Sequence, residues 1–556
     1  MKRRHVLVAA SAVAAVVVLA AGARRIYHSY SYYIPGLVAA IEDPVGPTRE
    51  VQWSPGPVVA ADPPFARPPN VVVILADDLG WNDLTFNGGG VAGGAVPTPS
   101  IDSIAADGVV FTRAYAGDAT CAPSRAAIMT GRYATRFGFE FTPAPVALAR
   151  LISRFDNGDL EPHFHADRVR DVQASIDRET VPASEVTIAQ VMKARGYHTT
   201  MLGKWHLGGT PQTRPSARGF DEVLGFYPGA SMYLPAGDPN VVDSRQDFDP
   251  IDRFLWANLP FGIRHNGGRP FAPPGYMTDY LGTQAVQAIA ANRNRPFFMY
   301  LAFNAPHTPL QASKADYDAL PQIADHRLRV YAAMIRALDR NVGGVLAALK
   351  ANGLEDNTLV IFTSDNGGAD YIGLPDINKP FRGWKATFFE GGIHVPLFMK
   401  WPARLPRGAR FDKPVGHVDI FATAAAAAAA EVPGDRVMDG VDLLPFASGA
   451  APGRPHQTLY WRDGDYKVVL AGDWKLQVSQ RPRKDWLFDL QSDPTERNNL
   501  ADAMPDKVSD LKRTLAAIDG EQARPLWPAL LEGPVRIDRP LGGAGQPDDE
   551  YIYWAN

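Results

Sequence analysis

Several short segments of the chain consist mainly of apolar or β-branched residues, and the run VVVILA at 71–76 consists of nothing else. Such continuous runs are typical of strands buried on both faces of a mostly parallel sheet, because strands with one wet face alternate apolar and polar residues. We therefore predict an α/β fold built on a large, mostly parallel sheet flanked by helices. The predicted strands are 71–76, 198–203, 296–303 and 358–363.

Each predicted strand runs directly into polar residues. Because ligands of open α/β sheets collect at the carboxyl ends of the strands, we expect these residues to meet at one edge of the sheet. Taken singly, each group of polar residues would be an ordinary turn or a structural histidine. The convergence of polar residues from four strand ends is therefore stronger evidence for a functional site than any one of them. Lys204 and His206, two positions apart, would face one side of an extended chain. The residues in question are Asp77 and Asp78, Lys204 and His206, His307, and Asp365 and Asn366.

The remaining pattern predicts helices and a second, smaller unit. Apolar residues recur at helical spacing over 328–351, and the alanine-dense stretch 422–432 also predicts a helix. From about residue 455 short β-like pieces follow, then a helix near 505–519 and a tail rich in Pro and Gly. We predict a catalytic domain at 69–450, and a C-terminal α/β subdomain with an antiparallel sheet and a tail at 451–556.

The N-terminus predicts export. KRRH precedes the uncharged stretch 6–22, which is followed by Arg24 and Arg25. Residues 1–25 therefore form either a signal peptide or an uncleaved membrane anchor, and both alternatives stay open because a helix of this length, about 26 Å, is marginal for a bilayer. We expect a bacterial periplasm or the outer face of the inner membrane, with secretion as the alternative. Residues 26–68, rich in Pro, predict a linker with little regular structure.

Composition narrows the class of protein. The chain has 556 residues, of which 46% are hydrophobic and 21% charged, as in ordinary globular proteins. Its net charge of −4 and the absence of a long basic run beyond the N-terminus argue against a nucleic-acid partner. Cys121 is the single cysteine, so the chain has no internal disulfide. An unpaired cysteine is usually a small buried hydrophobe, and this is the alternative to a catalytic role.

The most specific pattern surrounds this cysteine, in CAPSRAAIMTGR at 121–132. Pro123 suits the first turn of a helix, which places residue 121 beside the positive helix N-terminus. Arg125 lies one turn further on the same side, where its guanidinium can steady an anionic or gem-diol form of residue 121. Seven positions of this segment match C-x-P-S-R-x-x-x-x-T-G-R, the sequence pattern of a known family. Chance alone would produce such a match in roughly one in a million chains of this length.

With this motif, the chain resembles the type I, formylglycine-dependent sulfatases of the alkaline phosphatase superfamily, and within them the arylsulfatase B or N-acetylgalactosamine-4-sulfatase branch. ADDLG, GKWHLG, APHTPL, SDNGG and RGWKATFFEGG carry the same resemblance, which spans roughly 69–505. It implies hydrolysis of sulfate monoesters of aryl alcohols or carbohydrates with one Ca²⁺. It also implies that a formylglycine-generating enzyme converts Cys121 to formylglycine, whose hydrate attacks sulfur.

The resemblance assigns a role to each matched residue. GGIHVP departs from the frequent GGIRVP, so His394 receives none. The implied calcium ligands are Asp77, Asp78, Asp365, Asn366 and modified residue 121. The implied catalytic set is Arg125 beside residue 121, Lys204 and Lys385 on the sulfate, His206 on the formylglycine hydroxyl, and His307 as the acid for the leaving group.

Two alternatives stay open at this point. A phosphonate or phosphate monoesterase on the same fold would share the nucleophile, and a non-catalytic binding protein would share the fold alone. The natural substrate, exo or endo action and the oligomeric state do not follow from the sequence. The loops 135–180 and 211–275 are expected to line the substrate pocket.

Overall fold

We analysed a computed structural model, which describes residue 5 and residues 30–63, 66–155, 160–172 and 176–556. The stretch 6–22, predicted to be a signal peptide or anchor, lies outside the described residues. Among the described residues, no helix is both long enough and apolar enough to cross a membrane.

A nine-stranded sheet forms the centre of the molecule, and it confirms the predicted α/β class. Its spatial order is β9-β2-β8-β7-β1-β6-β3-β4-β5, and five of its eight strand pairings are parallel. The strands are β1 (Asn70–Asp77), β2 (Val109–Phe111), β3 (His198–Lys204), β4 (Glu222–Phe226), β5 (Arg264–His265), β6 (Phe297–Pro306), β7 (Thr358–Ser364), β8 (Leu397–Lys400) and β9 (Ala409–Phe411).

Helices cover both faces of this sheet, because β1 is apolar on both sides. Val72 and Ile74 belong to one hydrophobic cluster, and Val71 and Val73 belong to another. The first cluster includes α2, α7 and α8, and the second includes α3, α5 and α9. The helices are α1 (Ile34–Glu42), α2 (Pro99–Ala106), α3 (Cys121–Thr130), α4 (Val146–Ile152), α5 (Ile188–Ala194), α6 (Pro250–Asn258), α7 (Met277–Ala291), α8 (His326–Ala351), α9 (Asp419–Ala427) and α10 (Pro505–Asp519).

The C-terminal part contains the predicted antiparallel sheet. It has four strands in sequential order, and one face packs on α10 through Val469, Leu476 and Leu511. The opposite face, which includes Trp461 and Phe488, joins the core of the large sheet. The strands are β10 (Thr458–Asp463), β11 (Tyr466–Ala471), β12 (Trp474–Gln480) and β13 (Arg483–Asp489). The predicted domain boundary at 450 stays a prediction.

Shorter elements complete the description. Two-stranded sheets pair Ala114–Tyr115 with Val415–Gly416 and Val241–Ser244 with Leu310–Ser313. The short helical turns are Ser31–Tyr33, Trp81–Asp83, Thr85–Asn87, Val91–Gly94, Ala134–Phe137, Ala166–Asp171, Ile176–Arg178, Pro215–Arg218, Lys314–Asp318, Glu355–Asn357, Asp370–Ile372, Glu390–Ile393 and Leu444–Ala447.

The structure corrects the predicted tail. β14 (Leu531–Arg536) and β15 (Tyr551–Ala555) pair with each other, and β14 also pairs with the strand His163–Phe164. The residues of β14 alternate between buried and half-buried, which suits a strand packed on one side. The C-terminus is therefore a strand layer on the catalytic part of the chain.

The structure also refines two local predictions. The segment 26–68 contains α1, and Ser54 within it donates from its backbone N–H to Glu222 Oε1 at 2.8 Å, so it packs onto the domain. The alanine-dense stretch 422–432, predicted to be helical throughout, forms α9 only as far as Ala427, because Ala429 has a left-handed φ of 51° that a helix does not allow.

Candidate active site at the carboxyl edge of the sheet

The carboxyl ends of β1, β3, β6 and β7 bring the polar strand-end residues together. Asp77 ends β1 and Lys204 ends β3, and the two are joined by Lys204 Nζ at 2.7 Å from Asp77 Oδ2. His307 follows β6, and its Nε2 lies 3.7 Å from Asp78 Oδ2. Asp365 follows β7 and accepts a hydrogen bond from the Asp78 backbone at 3.1 Å. The four neighbouring strands thus place these residues at one point.

Cys121 reaches this point from α3, of which it is the first residue. The helix ends at Gly131, whose left-handed φ of 67° suits the glycine of the T-G-R motif. Cys121 Sγ lies 3.6 Å from Asp77 Oδ1 and 3.1 Å from Lys385 Nζ. Burial raises the pKa of the thiol, although the ammonium groups of Lys204 and Lys385 oppose the shift. The unmodified thiol is therefore a poor source of thiolate.

Three carboxylates and three cations share the site, so their formal charges balance. Arg125 Nε donates to Asp365 Oδ2 at 2.9 Å, and its NH2 group lies 3.3 Å from Asp77 Oδ1. Lys385 Nζ lies 2.8 Å from Asp78 Oδ1. Burial alone would raise the pKa of Asp365, but Arg125 and the two lysines outweigh it and lower that pKa. Arg125 holds two of these carboxylates in place, and its expected role beside residue 121 stays a prediction.

Asn366 carries the clearest sign that the site suits a cation. Its Nδ2 group donates to Asp78 Oδ1 at 2.7 Å and to the Gly367 carbonyl at 2.9 Å. Its Oδ1 atom is buried and has no hydrogen-bond partner in the described part of the chain. Buried acceptors are rarely left unpaired, and amide and carboxylate oxygens are what Ca²⁺ prefers. Ligand atoms of Asp77, Asp78, Cys121 and His307 also lie within 4.8 Å of one another, and the two carboxylates with the Asn366 amide oxygen supply the oxygen ligands that a hard divalent cation takes.

The two histidines of the site differ in their surroundings. His307 Nδ1 lies 2.5 Å from the Thr308 carbonyl, so Nδ1 carries a proton and Nε2 faces the site. His206 has a left-handed φ of 60°, so the chain is not extended there, and the same-side arrangement with Lys204, which assumed an extended chain, stays a prediction. Burial and nearby cations lower the pKa of His206 well below its usual value. Its buried Nδ1 has no hydrogen-bond partner among the residues that the structure describes.

Three residues that the sequence did not single out also belong to the site. Tyr371 donates to Asp78 Oδ2 at 3.1 Å and accepts from Lys385 Nζ at 3.0 Å. Ser124 donates to the Asp365 carbonyl, and His417 Nδ1 lies 3.0 Å from Ser124 Oγ. Ser124 was visible within the CAPSR motif. Tyr371 follows no strand directly, and His417 follows only the two-residue strand Val415–Gly416, so neither carried a signal in the sequence. His394, given no role, is a structural residue, with Nδ1 2.8 Å from Glu390 Oε2.

A cleft of about 1470 Å³ opens above the site and includes Cys121, His206, His307 and Lys385 in its lining. Parts of both predicted loops, 135–180 and 211–275, line it, as expected from the sequence. Two further walls were not predicted. These are the N-terminal segment 34–45, and C-terminal residues that include Val535 and Trp554.

The sequence matches a protein family and individual proteins that are already known. Residues 69–430 match the family described as Sulfatase, and residues 382–519 match the C-terminal region of N-sulphoglucosamine sulphohydrolase. N-acetylgalactosamine-6-sulfatase of Mus musculus is 34% identical over 422 residues, 74% of this chain and 72% of that protein. Steryl-sulfatase of Mus musculus is 33% identical over 569 residues, 83% of each chain.

A solved structure agrees with these sequence matches. Ps i-CgsB in complex with k-i-k-neocarrahexaose has a TM-score of 0.68 and 32% identity, covering 83% of this chain and 95% of that one. The narrower resemblance to the arylsulfatase B branch stays a prediction. Because the family match spans most of the chain and relatives above 30% identity cover over two thirds of it, this protein belongs to the sulfatase family and is a sulfuric ester hydrolase.

Proposed function

We propose that the enzyme hydrolyses sulfate monoesters of carbohydrates or aryl alcohols, with a formylglycine made from Cys121 and one Ca²⁺. The observation that carries this proposal is the position of Cys121. Its side chain is buried, and Sγ lies 3.6 Å from Asp77 Oδ1 and 3.1 Å from Lys385 Nζ. Since burial keeps the thiol protonated, a thiolate mechanism is disfavoured there. When present, the hydrated aldehyde would supply a hydroxyl nucleophile, and Ca²⁺ would neutralise charge on the sulfuryl oxygens.

The cation would be held by Asp77, Asp78, Asp365 and Asn366, together with residue 121. Arg125 supports this shell, because its guanidinium contacts Asp365 Oδ2 at 2.7 Å and Asp77 Oδ1 at 3.3 Å. An arginine with no exposed surface cannot move away without leaving buried carboxylates unpaired. Arg125 therefore positions the ligands and does not itself contact the substrate.

Lys204 and Lys385 would bind the sulfuryl oxygens. Each ammonium group is already held by a carboxylate, Lys204 by Asp77 and Lys385 by Asp78. Such fixed charges need little reorganisation as negative charge develops, which favours the transition state. Tyr371 adds a second contact to Lys385 at 3.0 Å and so fixes the direction of that side chain.

The two histidines would divide the proton transfers. His206 is held neutral by burial and nearby cations, so its imidazole can accept a hydrogen bond from the nucleophilic hydroxyl. His307 has its Nδ1 proton engaged by the Thr308 carbonyl, which leaves Nε2 to deliver a proton to the departing oxygen. Burial lowers the pKa of His307, and the Asp77 and Asp78 carboxylates oppose that shift only in part, so Nε2 has to take up a proton before it can act as the acid.

A carbohydrate substrate has two lines of support. The cleft volume of about 1470 Å³ exceeds the few hundred to about 1000 Å³ usual for sites of small ligands, so it has room for several sugar units. One relative is named N-acetylgalactosamine-6-sulfatase, and one solved structure holds k-i-k-neocarrahexaose. We also propose export, supported by the basic start, the uncharged stretch 6–22 and the following arginines, and maturation by a formylglycine-generating enzyme.

A combined mass and turnover experiment tests this proposal. The peptide containing residue 121 should be about 18 Da lighter than its cysteine form, the change expected for a thiol converted to an aldehyde. Elemental analysis of the same sample should show calcium, and chelation should abolish activity. A screen with sulfated sugars, an aryl sulfate and an aryl phosphonate should show turnover of the sulfates. Unmodified thiol in fully active enzyme, or preferred turnover of the phosphonate, would contradict the proposal.

A further inference from the structure

The helix α1 presents an apolar stripe to solvent. Ile34, Leu37, Val38 and Ile41 lie at positions i, i+3, i+4 and i+7, the spacing that normally faces a protein core. Here they are 46%, 63%, 43% and 72% exposed, and none of the nine residues of this described helix is buried. Single exposed apolar residues are ordinary, but a contiguous stripe marks an interaction surface.

The orientation of α1 is fixed by its opposite side. The backbone N–H of Gly36 donates to Asn258 Oδ1 at 2.6 Å, and Asn258 Nδ2 donates to the Tyr32 carbonyl at 2.9 Å. A side chain at position 36 would meet Asn258 Cα at 2.7 Å, so the glycine allows close contact with α6. Because α1 is attached through this face, its apolar stripe is held outward.

Two tyrosines extend the stripe toward the N-terminus. Tyr30 is 62% exposed and Tyr33 is 46% exposed. Aromatic side chains with a polar tip are enriched at the boundary between lipid and water. With α1 they form one surface, which we call the α1 face, defined by Tyr30, Tyr33, Ile34, Leu37, Val38 and Ile41.

The sequence before α1 indicates which partner fits this face. The uncharged stretch 6–22 is followed by Arg24 and Arg25, which suit anionic headgroups. Residues 26–33 connect this region to α1, and eight residues reach at most about 28 Å even when fully extended. α1 itself is about 14 Å long, too short to cross a bilayer and suited to lie along its surface.

We propose that the α1 face docks on the surface of a lipid bilayer. Ile34 and Val38 also line the rim of the cleft that contains His307 and Lys385. Docking through this face therefore places one rim of that cleft at the headgroup layer. The inference does not depend on the proposed chemistry, because α1 contains none of the proposed catalytic residues.

Fluorescent labels on single introduced cysteines test the docking with the full-length chain. Leu37→Cys and Ile41→Cys report on the α1 face, and Val59→Cys is the matched control because Val59 is an exposed apolar residue outside it, at 78%. The unsubstituted chain is the labelling blank, since Cys121 is buried. Each protein is incorporated into phosphatidylethanolamine and phosphatidylglycerol vesicles, and quenching by nitroxide lipids and by aqueous iodide is compared.

We expect labels at 37 and 41 to be quenched several-fold more by nitroxide lipids than the label at 59, and to be protected from iodide. Adding Ile34→Ser and Val38→Ser should make the label at position 37 accessible to quenching by iodide again, because the remaining apolar stripe is too small to keep α1 on the bilayer. Iodide quenching at 37 and 41 in the unaltered face would overturn the proposal. Protection from both quenchers would also overturn it, because another part of the chain or a second copy would then cover the face. Sulfatase activity is not read in this experiment, so its outcome is separate from that of the proposed chemistry.

Discussion

Removing His307 should slow the enzyme in a way that depends on the leaving group. His307 Nδ1 is engaged by the Thr308 carbonyl, so only Nε2 can deliver a proton to a departing oxygen. A sugar alkoxide leaves poorly without that proton, whereas nitrophenolate leaves with little help. His307→Ala should therefore affect a sugar sulfate far more than nitrophenyl sulfate.

The expected loss of activity with the sugar sulfate equals the contribution of general-acid assistance. General-acid assistance contributes about 10²- to 10⁴-fold, equal to about 2.7 to 5.4 kcal/mol of barrier. The substitution should leave the fold intact, because it removes one hydrogen bond to the Thr308 carbonyl, worth about 1 kcal/mol. The Thr308 hydroxyl keeps its own bond to Asp252 Oδ1 at 2.8 Å.

The assay compares kcat/KM for both substrates in the His307→Ala enzyme, with bound calcium measured on each sample. His206→Ala is the matched control, because a residue acting on the nucleophile should depress both substrates alike. His307 is also among the candidate metal-ligating residues, which suggests a competing role as a metal ligand. Equal losses for both substrates together with lower calcium content would refute the assignment of His307 as the acid.

Three further predictions test the nucleophile, the fold and its pH dependence. Cys121→Ser should fold but release at most one equivalent of alcohol in a burst assay, because serine has no second hydroxyl; steady turnover would contradict this. Lys475→Met should lower the free energy of unfolding by about 3–5 kcal/mol, because Lys475 Nζ lies 2.7 Å from Glu390 and 2.9 Å from Glu496 and has no exposed surface. Adding Glu496→Gln should recover part of this loss of stability. A loss below about 1 kcal/mol in the Lys475→Met protein would contradict the prediction. Burial disfavours the protonated form of His456, but the Asp419 carboxylate, 2.7 Å away, outweighs burial and raises the pKa of His456. The ion pair of His456 with Asp419 therefore stabilises the fold below about pH 6.5, and this stabilisation is lost as the pH rises through the pKa of His456 in the folded protein. Melting curves should show His456→Gln costing about 1 kcal/mol at acidic pH and less at alkaline pH, and a pH-independent cost would refute this.

Local sequence pattern determined much of the fold. Buried strands such as 71–76 and 358–363 were predictable because a strand covered on both faces has to be apolar at every position. The convergence of Asp77, Lys204, His307 and Asp365 followed from the rule that parallel strands end at one edge. These predictions needed no knowledge of distant contacts, because residue type and strand direction are local properties.

Tertiary structure decided the rest, because each remaining feature depends on residues far apart in the chain. Arg125 contacts Asp365, which lies 240 positions away and whose buried charge needs a partner. The supposed tail forms a sheet because β14 pairs with β15 and with the distant strand His163–Phe164, and β-pairing has no signal in any of these segments alone. Likewise, the spacing of Ile34, Leu37 and Ile41 predicts an apolar face but not its direction. Only the contact of Gly36 with Asn258 turns that face away from the core.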